Sequence, residues 1–161
     1  MNALRLAFVT AAFLTPGPAF AQAPGVRTLA VDGTCQRLVI YGQDFSGQCG
    51  TALVQILERG AVDLFVSFGG QGASDVADPE GMVIFRGKAR EDGPAWTDHD
   101  VEFVLLGSQS DDAVETIEVS GSCTYENPAA GVASIACAAK DRSGRGYDLM
   151  YQTDGLPPVT F

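Results

Sequence analysis

Apolar and polar residues alternate along much of this chain with the two-residue period of β-strands. The clearest run is Ala61–Phe68, where Val62, Leu64, Val66 and Phe68 fall on alternate positions. Successive side chains of a strand point to opposite faces, so these four residues share one face. The run therefore predicts a strand with one buried face.

A second apolar run precedes this strand. Leu53–Leu57 is separated from it by Glu58-Arg59-Gly60, which has the composition of a tight turn. Residues 51–68 are therefore predicted to form a β-hairpin. Further β-rich segments are Leu38–Tyr41, Met82–Phe85, Val101–Leu106, Ile117–Val119, Ser134–Ala138 and Tyr147–Tyr151.

These segments are short and are separated by turn-forming residues. The chain has 19 glycines and 8 prolines, and no segment beyond the N-terminus keeps a helical period for more than two turns. About eight or nine short strands with frequent turns are typical of a sandwich or a small barrel. We expect an all-β, single-domain antiparallel sandwich or small barrel of about eight to nine strands that covers residues 24–161.

The first residues have the pattern of an export signal. Arg5 precedes the apolar run Leu6–Leu14, and Ala19-Phe20-Ala21 forms a small-x-small cleavage site. Residues 1–21 are predicted to be a signal peptide, with cleavage after Ala21 or Ala23. No later segment reaches the length of a membrane-spanning helix, so we expect a periplasmic or secreted protein without a transmembrane segment.

An outer-membrane barrel is a further alternative, because the chain ends in the aromatic residue Phe161. Strands that span a membrane need about nine to eleven residues of alternating pattern. The segments found here are mostly shorter, and Pro157-Pro158 interrupts the last of them.

The four cysteines form two blocks with the same spacing. Thirteen residues separate Cys35 from Cys49, and thirteen separate Cys123 from Cys137. An even number of cysteines behind an export signal indicates disulfides, although four cysteines allow three connectivities. We favour 35–49 and 123–137 because equal spacing suggests two local loops. A metal site is the alternative, but zinc sites usually show two-residue spacings and histidine partners.

The residues around the second cysteine block carry a family resemblance. Gly121-Ser122-Cys123, Asn127-Pro128 and Ile135-Ala136-Cys137 are followed by Tyr147 and Tyr151. This arrangement resembles an uncharacterised family of small exported bacterial β-proteins with two C-x13-C disulfide loops. That family has no established activity, so the resemblance implies a fold and no functional residues.

Charge limits the choice of partners. The net charge is −10, and the segment from Glu91 to Ala139 contains no Lys or Arg. Such a surface repels nucleic acid and anionic membranes, whereas it could attract a cationic protein or peptide. The alternative is a solvated acidic face that keeps the protein soluble. The ten carboxylates of this acidic segment are Glu91, Asp92, Asp98, Asp100, Glu102, Asp111, Asp112, Glu115, Glu118 and Glu126.

Three aromatic residues are candidates for ligand contact. Trp96 lies in a polar connection beside the acidic run, where an exposed Trp would be a binding hot spot. Tyr41 and Phe45 lie in the glycine-rich first cysteine loop. For each of the three, packing against the core is the alternative.

Carboxylates suggest a candidate metal site. Asp98 and Asp100 would point to the same side of a strand and the only histidine, His99, to the other. Together with Asp111 and Asp112 they could supply oxygen ligands to Ca²⁺. No EF-hand spacing supports this, and no cofactor is expected.

No catalytic constellation emerges from the sequence. A Ser-His-Asp triad would have to use His99, and no GxSxG elbow is present. We therefore expect a non-enzymatic binding or interaction module with an acidic face. A small exported hydrolase with dispersed carboxylates and a Ca²⁺-stabilised structural module are the alternatives.

Overall fold

A computed structural model describes residues 25–69, 81–90, 96–108 and 111–161, with the backbone alone at 111–113. The predicted signal peptide and both predicted cleavage positions lie outside these residues. Within them no helix is long and apolar enough to cross a membrane.

The described residues form an all-β structure whose strands pair in antiparallel fashion. Two short 3₁₀ turns, Ser46–Gln48 and Pro128–Ala130, interrupt it. The strands are β1 (Val26–Ile40), β2 (Gln43–Asp44), β3 (Cys49–Glu58), β4 (Ala61–Phe68), β5 (Gly81–Ala89), β6 (His99–Ser108), β7 (Asp111–Tyr125), β8 (Ser134–Asp141), β9 (Gly146–Thr153) and β10 (Val159–Thr160).

Eight of these strands close into a barrel. The order β1-β3-β4-β5-β6-β7-β8-β9 follows the chain, and β9 pairs again with β1. The closing register places Gly33 opposite Thr153 and Leu38 opposite Leu149. The two-residue strands β2 and β10 both pair with β1. Of the two predicted architectures, the small barrel is the one formed.

β1 closes the barrel because it pairs with two strands, β3 and β9. Its first half pairs with β3 over Val26–Asp32, and its second half pairs with β9 over Gly33–Val39. The register shifts between Cys35 and Arg37. Such a bulge increases the local bend and twist of a strand, which lets one strand contact both edges of the sheet.

The tight turn between β3 and β4 lies where the sequence predicted it. Arg59 and Gly60 both have positive φ, 50° and 85°, and connect the paired residues Glu58 and Ala61. Two central residues with positive φ are characteristic of a type I′ turn, whose twist matches that of the flanking strands. The predicted 51–68 hairpin is confirmed.

Apolar side chains fill the interior and charged ones lie outside. Phe85, Leu53, Leu64, Leu149 and Tyr147 are all fully buried in one core cluster. Ion pairs on the outer face link residues of neighbouring strands or residues that directly follow a strand. They are Asp63–Arg86, Lys88–Glu102, Arg90–Asp100, Glu118–Arg142 and Arg37–Asp148.

The two disulfides join Cys35 to Cys49 and Cys123 to Cys137, as the equal spacing predicted. The first links β1 to β3, and the second links two directly opposed residues of β7 and β8. Cys123 and Cys137 lie within the barrel core, whereas Cys35 is half-buried. No described cysteine is free, so the thiol-metal alternative is wrong.

Candidate functional site

The two ends of the barrel differ in chemistry. β6 runs from His99 at one end to Ser108 at the other. We call the end that carries residues 96–99 the Trp96 end and the opposite end, with Tyr41 and residues 141–147, the Tyr147 end. Buried polar side chains concentrate at the Trp96 end. The polar cluster there is Gln55, Trp96, His99 and Tyr125.

Trp96 folds into the barrel. The residue is only 8 % exposed and belongs to the core cluster, in line with the packing alternative and not with an exposed hot spot. Its backbone has φ = 66°, a left-handed conformation that bulky residues rarely adopt. The Trp96 amide N–H donates to Gln55 Oε1 at 2.8 Å, which holds the chain in this conformation.

His99 points into the barrel, and Asp100 is exposed on the opposite side of β6, so the predicted opposite directions of His99 and Asp100 are confirmed. His99 is fully buried, its Nδ1 lies 3.1 Å from the Tyr125 hydroxyl, and the two rings stack with centroids 5.8 Å apart. Desolvation by burial lowers the pKa of His99 to about 4, against the opposing effects of the Phe85 carbonyl and three nearby carboxylates, Asp63, Asp100 and Asp98. The imidazole is therefore neutral at physiological pH.

Sequence reasoning missed Gln55 and Tyr125. Gln55 lies two residues from both Leu53 and Leu57, on the inward face of β3, and is fully buried. The signal that could have identified Gln55 is a polar residue at a position where the strand alternation predicts an apolar, inward one. Such a residue is noteworthy because buried polar groups normally have a specific partner. Tyr125 is on the inward side of β7, two residues beyond the buried Cys123.

Three buried nitrogen atoms of this cluster have no hydrogen-bond partner among the described residues: Gln55 Nε2, Trp96 Nε1 and His99 Nε2. The Gln55 side chain lies close enough to the Tyr125 hydroxyl to influence the pKa of Tyr125, and the Phe85 carbonyl lies close enough to His99 to influence the pKa of His99. Neither contact has the geometry of a hydrogen bond to Gln55 Nε2 or His99 Nε2. A buried polar atom left unpaired costs about 1–3 kcal/mol. Three together at one barrel end mark a place where a ligand or ordered water would be stabilising.

A cleft adjoins the polar cluster. Its volume is about 560 Å³, and Trp96 and Tyr125 form part of its wall. The other walls come from the start of β1, the 127–129 turn and the C-terminal segment. The lining residues are Leu29, Trp96, Tyr125, Asn127, Ala129, Pro157, Pro158 and Thr160, none of them charged.

The four carboxylates of the candidate metal site do not come together. Asp98 and Asp100 lie at the Trp96 end, where Asp98 accepts from the Tyr125 amide and Asp100 pairs with Arg90. Asp111 pairs with Ser108 at the far end of β6, roughly 30 Å away along the strand. The side chains of Asp111 and Asp112 lie outside the described ones. Among the described side chains, no group of three or more His, Cys, Asp or Glu is placed to hold a metal.

Tyr41 and Phe45 lie at the Tyr147 end and are half-buried. The Tyr41 ring packs edge-on against Tyr147 at 5.4 Å, with the Arg145 guanidinium 4.6 Å above it. Phe45 packs edge-on against Phe68 at 5.6 Å. Both residues therefore close this end of the core, in line with the packing alternative.

The carboxylates of the acidic segment have partners wherever the structure describes them. Asp100, Glu102 and Glu118 pair with basic residues from outside the segment. Asp98 and Glu126 accept from backbone amides. Glu115 contacts Tyr41, whose pKa is raised by burial and, to a smaller extent, by this carboxylate. This pairing reduces the unneutralised charge on which attraction of a cationic partner depends.

No protein family, curated protein or solved structure matches this chain. The resemblance inferred from the cysteine blocks therefore assigns no family. The candidate functional site is therefore the Trp96 end of the barrel.

Proposed function

We propose that this is an exported, non-enzymatic binding protein that holds a small apolar or aromatic ligand in the cleft at the Trp96 end. One observation carries the proposal. The Trp96 side chain forms a wall of that cleft while its indole N–H, buried within the core, has no partner among the described residues.

The cleft has the properties of a small-molecule site. Such sites usually measure about 300–1,000 Å³ and combine a mostly apolar lining with a few placed polar groups. Here about 560 Å³ is lined by Leu29, two prolines and two aromatic rings, with Asn127 and Thr160 as polar groups. Eight-stranded barrels of this kind are able to hold one small ligand.

Trp96 itself supports a binding role. Holding a bulky residue at positive φ costs of order 1–3 kcal/mol of folding free energy, so this conformation persists only where surrounding contacts enforce it. The Gln55 hydrogen bond and the Tyr125 ring, 6.0 Å away between centroids, supply that support. Strain of this kind concentrates at sites that position a side chain for use.

A catalytic role finds less support. No carboxylate is among the described residues that line the cleft, and the only histidine of the chain is neutral, fully buried and stacked on Tyr125. Capture of a cationic protein stays a prediction. If it occurs, its affinity should fall steeply with salt, because exposed charges are screened within about 10 Å at 0.1 M.

The test uses the single tryptophan of the chain as a reporter. The neutral aromatic probe N-phenyl-1-naphthylamine absorbs where Trp emits, so we expect saturable quenching of Trp96 fluorescence and a thermal midpoint that rises with probe concentration. Absence of saturable binding by this probe and by a panel of neutral aromatic compounds would remove the proposal.

Two neighbouring alanines give a matched pair of variants. Ala129 and Ala130 are both exposed in the same turn, but only Ala129 lines the cleft. Ala129→Glu should weaken the probe at least tenfold, a loss of about 1.4 kcal/mol, whereas Ala130→Glu should bind as the parent does. Equal binding by both variants would place the probe elsewhere.

A further inference from the structure

β7 is longer than the strand that follows it, and this leaves part of its edge without a neighbour. Pairing of β7 with β8 begins at Val119, opposite Asp141, and runs to Tyr125. Residues 111–118 pair with β6 alone. Among the described residues, this is the longest run of strand that has a neighbouring strand on one side only. We call residues 114–118, at the Tyr147 end of the barrel, the open edge.

The exposure of the open edge matches this one-sided pairing. Val114 is 53 % exposed, and Glu115, Thr116 and Glu118 are exposed as well. Consecutive residues of a strand face opposite sides of the sheet, so both sides of β7 are open to solvent here. Val119, the first residue that pairs with β8, is buried instead. The open edge is therefore accessible to a further strand.

The backbone of the open edge offers hydrogen-bonding groups to such a strand. The N–H and C=O groups of successive strand residues point to opposite edges, so about half of those in residues 114–118 point away from β6. No backbone hydrogen bond from a turn or loop of the described part of the chain reaches them. Strand edges of this kind accept an added strand, the binding mode called β-augmentation. The open edge also has the usual length of a strand, roughly five residues.

Charge selects the chemistry of the added strand. Residues 111–118 contain four carboxylates, no basic residue and no proline. Glu118 pairs with Arg142, but the two side chains are 60 % and 83 % exposed, and an exposed ion pair of this kind contributes little and exchanges easily. Glu115 contacts the Tyr41 hydroxyl, whose pKa is raised by burial and then by this carboxylate. The hydroxyl therefore stays neutral and does not compensate the charge of Glu115.

The same charges disfavour a second copy of this chain as the occupant. Pairing of two open edges would bring the Glu115 and Glu118 side chains of both copies together, and like charges on adjacent strands are destabilising. Charged side chains on an exposed edge thus act against self-association. They leave the edge available to a strand of opposite charge.

We propose that the open edge of β7 binds an extended cationic segment of another protein, which adds to the barrel as a further strand. Backbone hydrogen bonds to β7 hold the segment, and two basic side chains three positions apart lie opposite Glu115 and Glu118. Directly opposed residues of adjacent strands have Cβ atoms about 4.5–5.5 Å apart, which is within reach of ion pairs. Apolar or β-branched side chains of the segment pack beside Val114, Thr116 and Ile117. This site lies at the other end of the barrel from the ligand cleft and is independent of it.

A synthetic strand tests the proposal. The peptide acetyl-Thr-Lys-Val-Thr-Lys-Val-Thr-amide carries two lysines three positions apart, and hydrogen exchange of each backbone amide is followed by NMR. The peptide should slow exchange saturably at alternate residues of 114–118, because an added strand bonds to the amides that face it. The intervening amides, which already face β6, should not change. Affinity should fall severalfold as the salt concentration is raised above about 0.1 M.

Altered peptides separate strand addition from charge attraction alone. N-methylation of every second residue removes backbone donors and keeps both lysines. It is tested on each of the two alternating sets, of which one faces β7 and should abolish protection of the open edge. Replacement of both lysines by glutamate should also abolish it. Retention of binding by both N-methylated peptides would overturn the proposal, because the contact would then not involve strand pairing.

Variants of the protein locate the binding site. The double variant Glu115→Gln, Glu118→Gln removes two charges and keeps the shape of both side chains. It should bind the lysine peptide about fivefold less tightly at low salt, as expected for two cross-strand charge pairs. Glu58→Gln, at an exposed carboxylate at the Trp96 end of β3, is the matched control and should bind as the parent does. Parental affinity of the double variant would place the peptide elsewhere and would overturn the proposal.

Two further outcomes would contradict the proposal. Protection of residues 114–118 that rises with protein concentration in the absence of peptide would show that a second copy occupies the open edge. Absence of saturable protection by the lysine peptide would show that the edge does not take up a cationic strand. Either result would leave the ligand cleft at the Trp96 end unaffected, because that site is tested by its own probe.

Discussion

At the scale of single residues, His99 shows how burial changes an ordinary side chain. Strand alternation predicted that it points away from Asp98 and Asp100, but only the structure shows that this direction is inward, and its neutrality depends on complete burial in the barrel. The partner at Nδ1, Tyr125, is 26 residues away in the chain. Local sequence could not identify that partner, because the contact depends on the pairing of β6 with β7.

His99 should make the fold sensitive to acid. Its pKa is 6.5 when unfolded and about 4 when folded, so between these values the unfolded chain binds the proton and the native state does not. The contribution of neutral, buried His99 to the free energy of unfolding is therefore complete above pH 6.5, and it is lost as the pH falls towards 4. The full effect is about 3 kcal/mol. Urea unfolding measured from pH 4 to 7 should show this slope.

His99→Phe supplies the control for that experiment. No other histidine is present in the chain, and the variant has no group that titrates between pH 4 and 6.5 at this position. The free energy of unfolding should therefore depend less on pH in the variant than in the parent. Identical slopes would show that His99 is not buried in its neutral form.

Two glycines on the β5–β6 ladder differ in what a side chain would meet. A Cβ at Gly87 would overlap the Asp100 carbonyl oxygen, whereas a Cβ at Gly107 would come no closer than 3.8 Å to Met82. Neither residue is among those with positive φ. Gly87→Ala should therefore lower the free energy of unfolding by more than about 3 kcal/mol, while Gly107→Ala should change it by less than about 1 kcal/mol. Similar losses in urea unfolding would contradict this account of the close approach.

At the scale of elements, the sequence pattern located the strands but not all of their lengths. The strand predicted at Ala61–Phe68 has those bounds in the structure. β7 is much longer than the alternation around Ile117 and Val119 suggested, and it spans Asp111–Tyr125. The register of the β6–β7 pair shifts at Val101–Phe103 and at Gly107–Ser108. Because such bulges interrupt the two-residue alternation, the sequence pattern does not show the full length of β7.

The two disulfides close loops of equal length, so their effects on stability can be compared directly. Both have a sequence separation of 14, so the chain-entropy contribution is the same, about 3 kcal/mol each. Cys123 and Cys137 are also packed in the core, whereas Cys35 is half-buried. Replacing the second pair by alanine should therefore destabilise the protein more, by about 1–2 kcal/mol from lost packing. Calorimetry of the two double variants measures this difference, and equal unfolding temperatures would contradict it.

At the scale of the whole molecule, the closed barrel and the ligand cleft rely on different parts of the chain. Pairing of β1 with β9 closes the barrel without β10. Pro157, Pro158 and Thr160 line the cleft, while Leu156, Val159 and Phe161 are exposed. The C-terminal segment thus contributes more to the cleft than to the core.

Removal of residues 156–161 should therefore separate folding from binding. Far-ultraviolet circular dichroism should stay that of the parent, since the buried strands are retained, and quenching of Trp96 by N-phenyl-1-naphthylamine should be lost or greatly weakened. A truncated protein that binds the probe with the parent's affinity would show that the ligand does not use this wall. Cooperative unfolding of the truncated protein confirms that it is folded.

The sequence alone determined local properties of this protein: strands from two-residue alternation and the Arg59-Gly60 turn from its composition, while equal cysteine spacing favoured the two local disulfides that the structure shows. Each of these depends on interactions between residues close together in the chain. Only the tertiary structure decided between sandwich and barrel, because closure pairs Leu38 with Leu149. It also brought Gln55, Trp96, His99 and Tyr125 from three separate strands and a loop into one buried cluster. Their chemistry arises from shared burial and mutual hydrogen bonding, which no local pattern encodes.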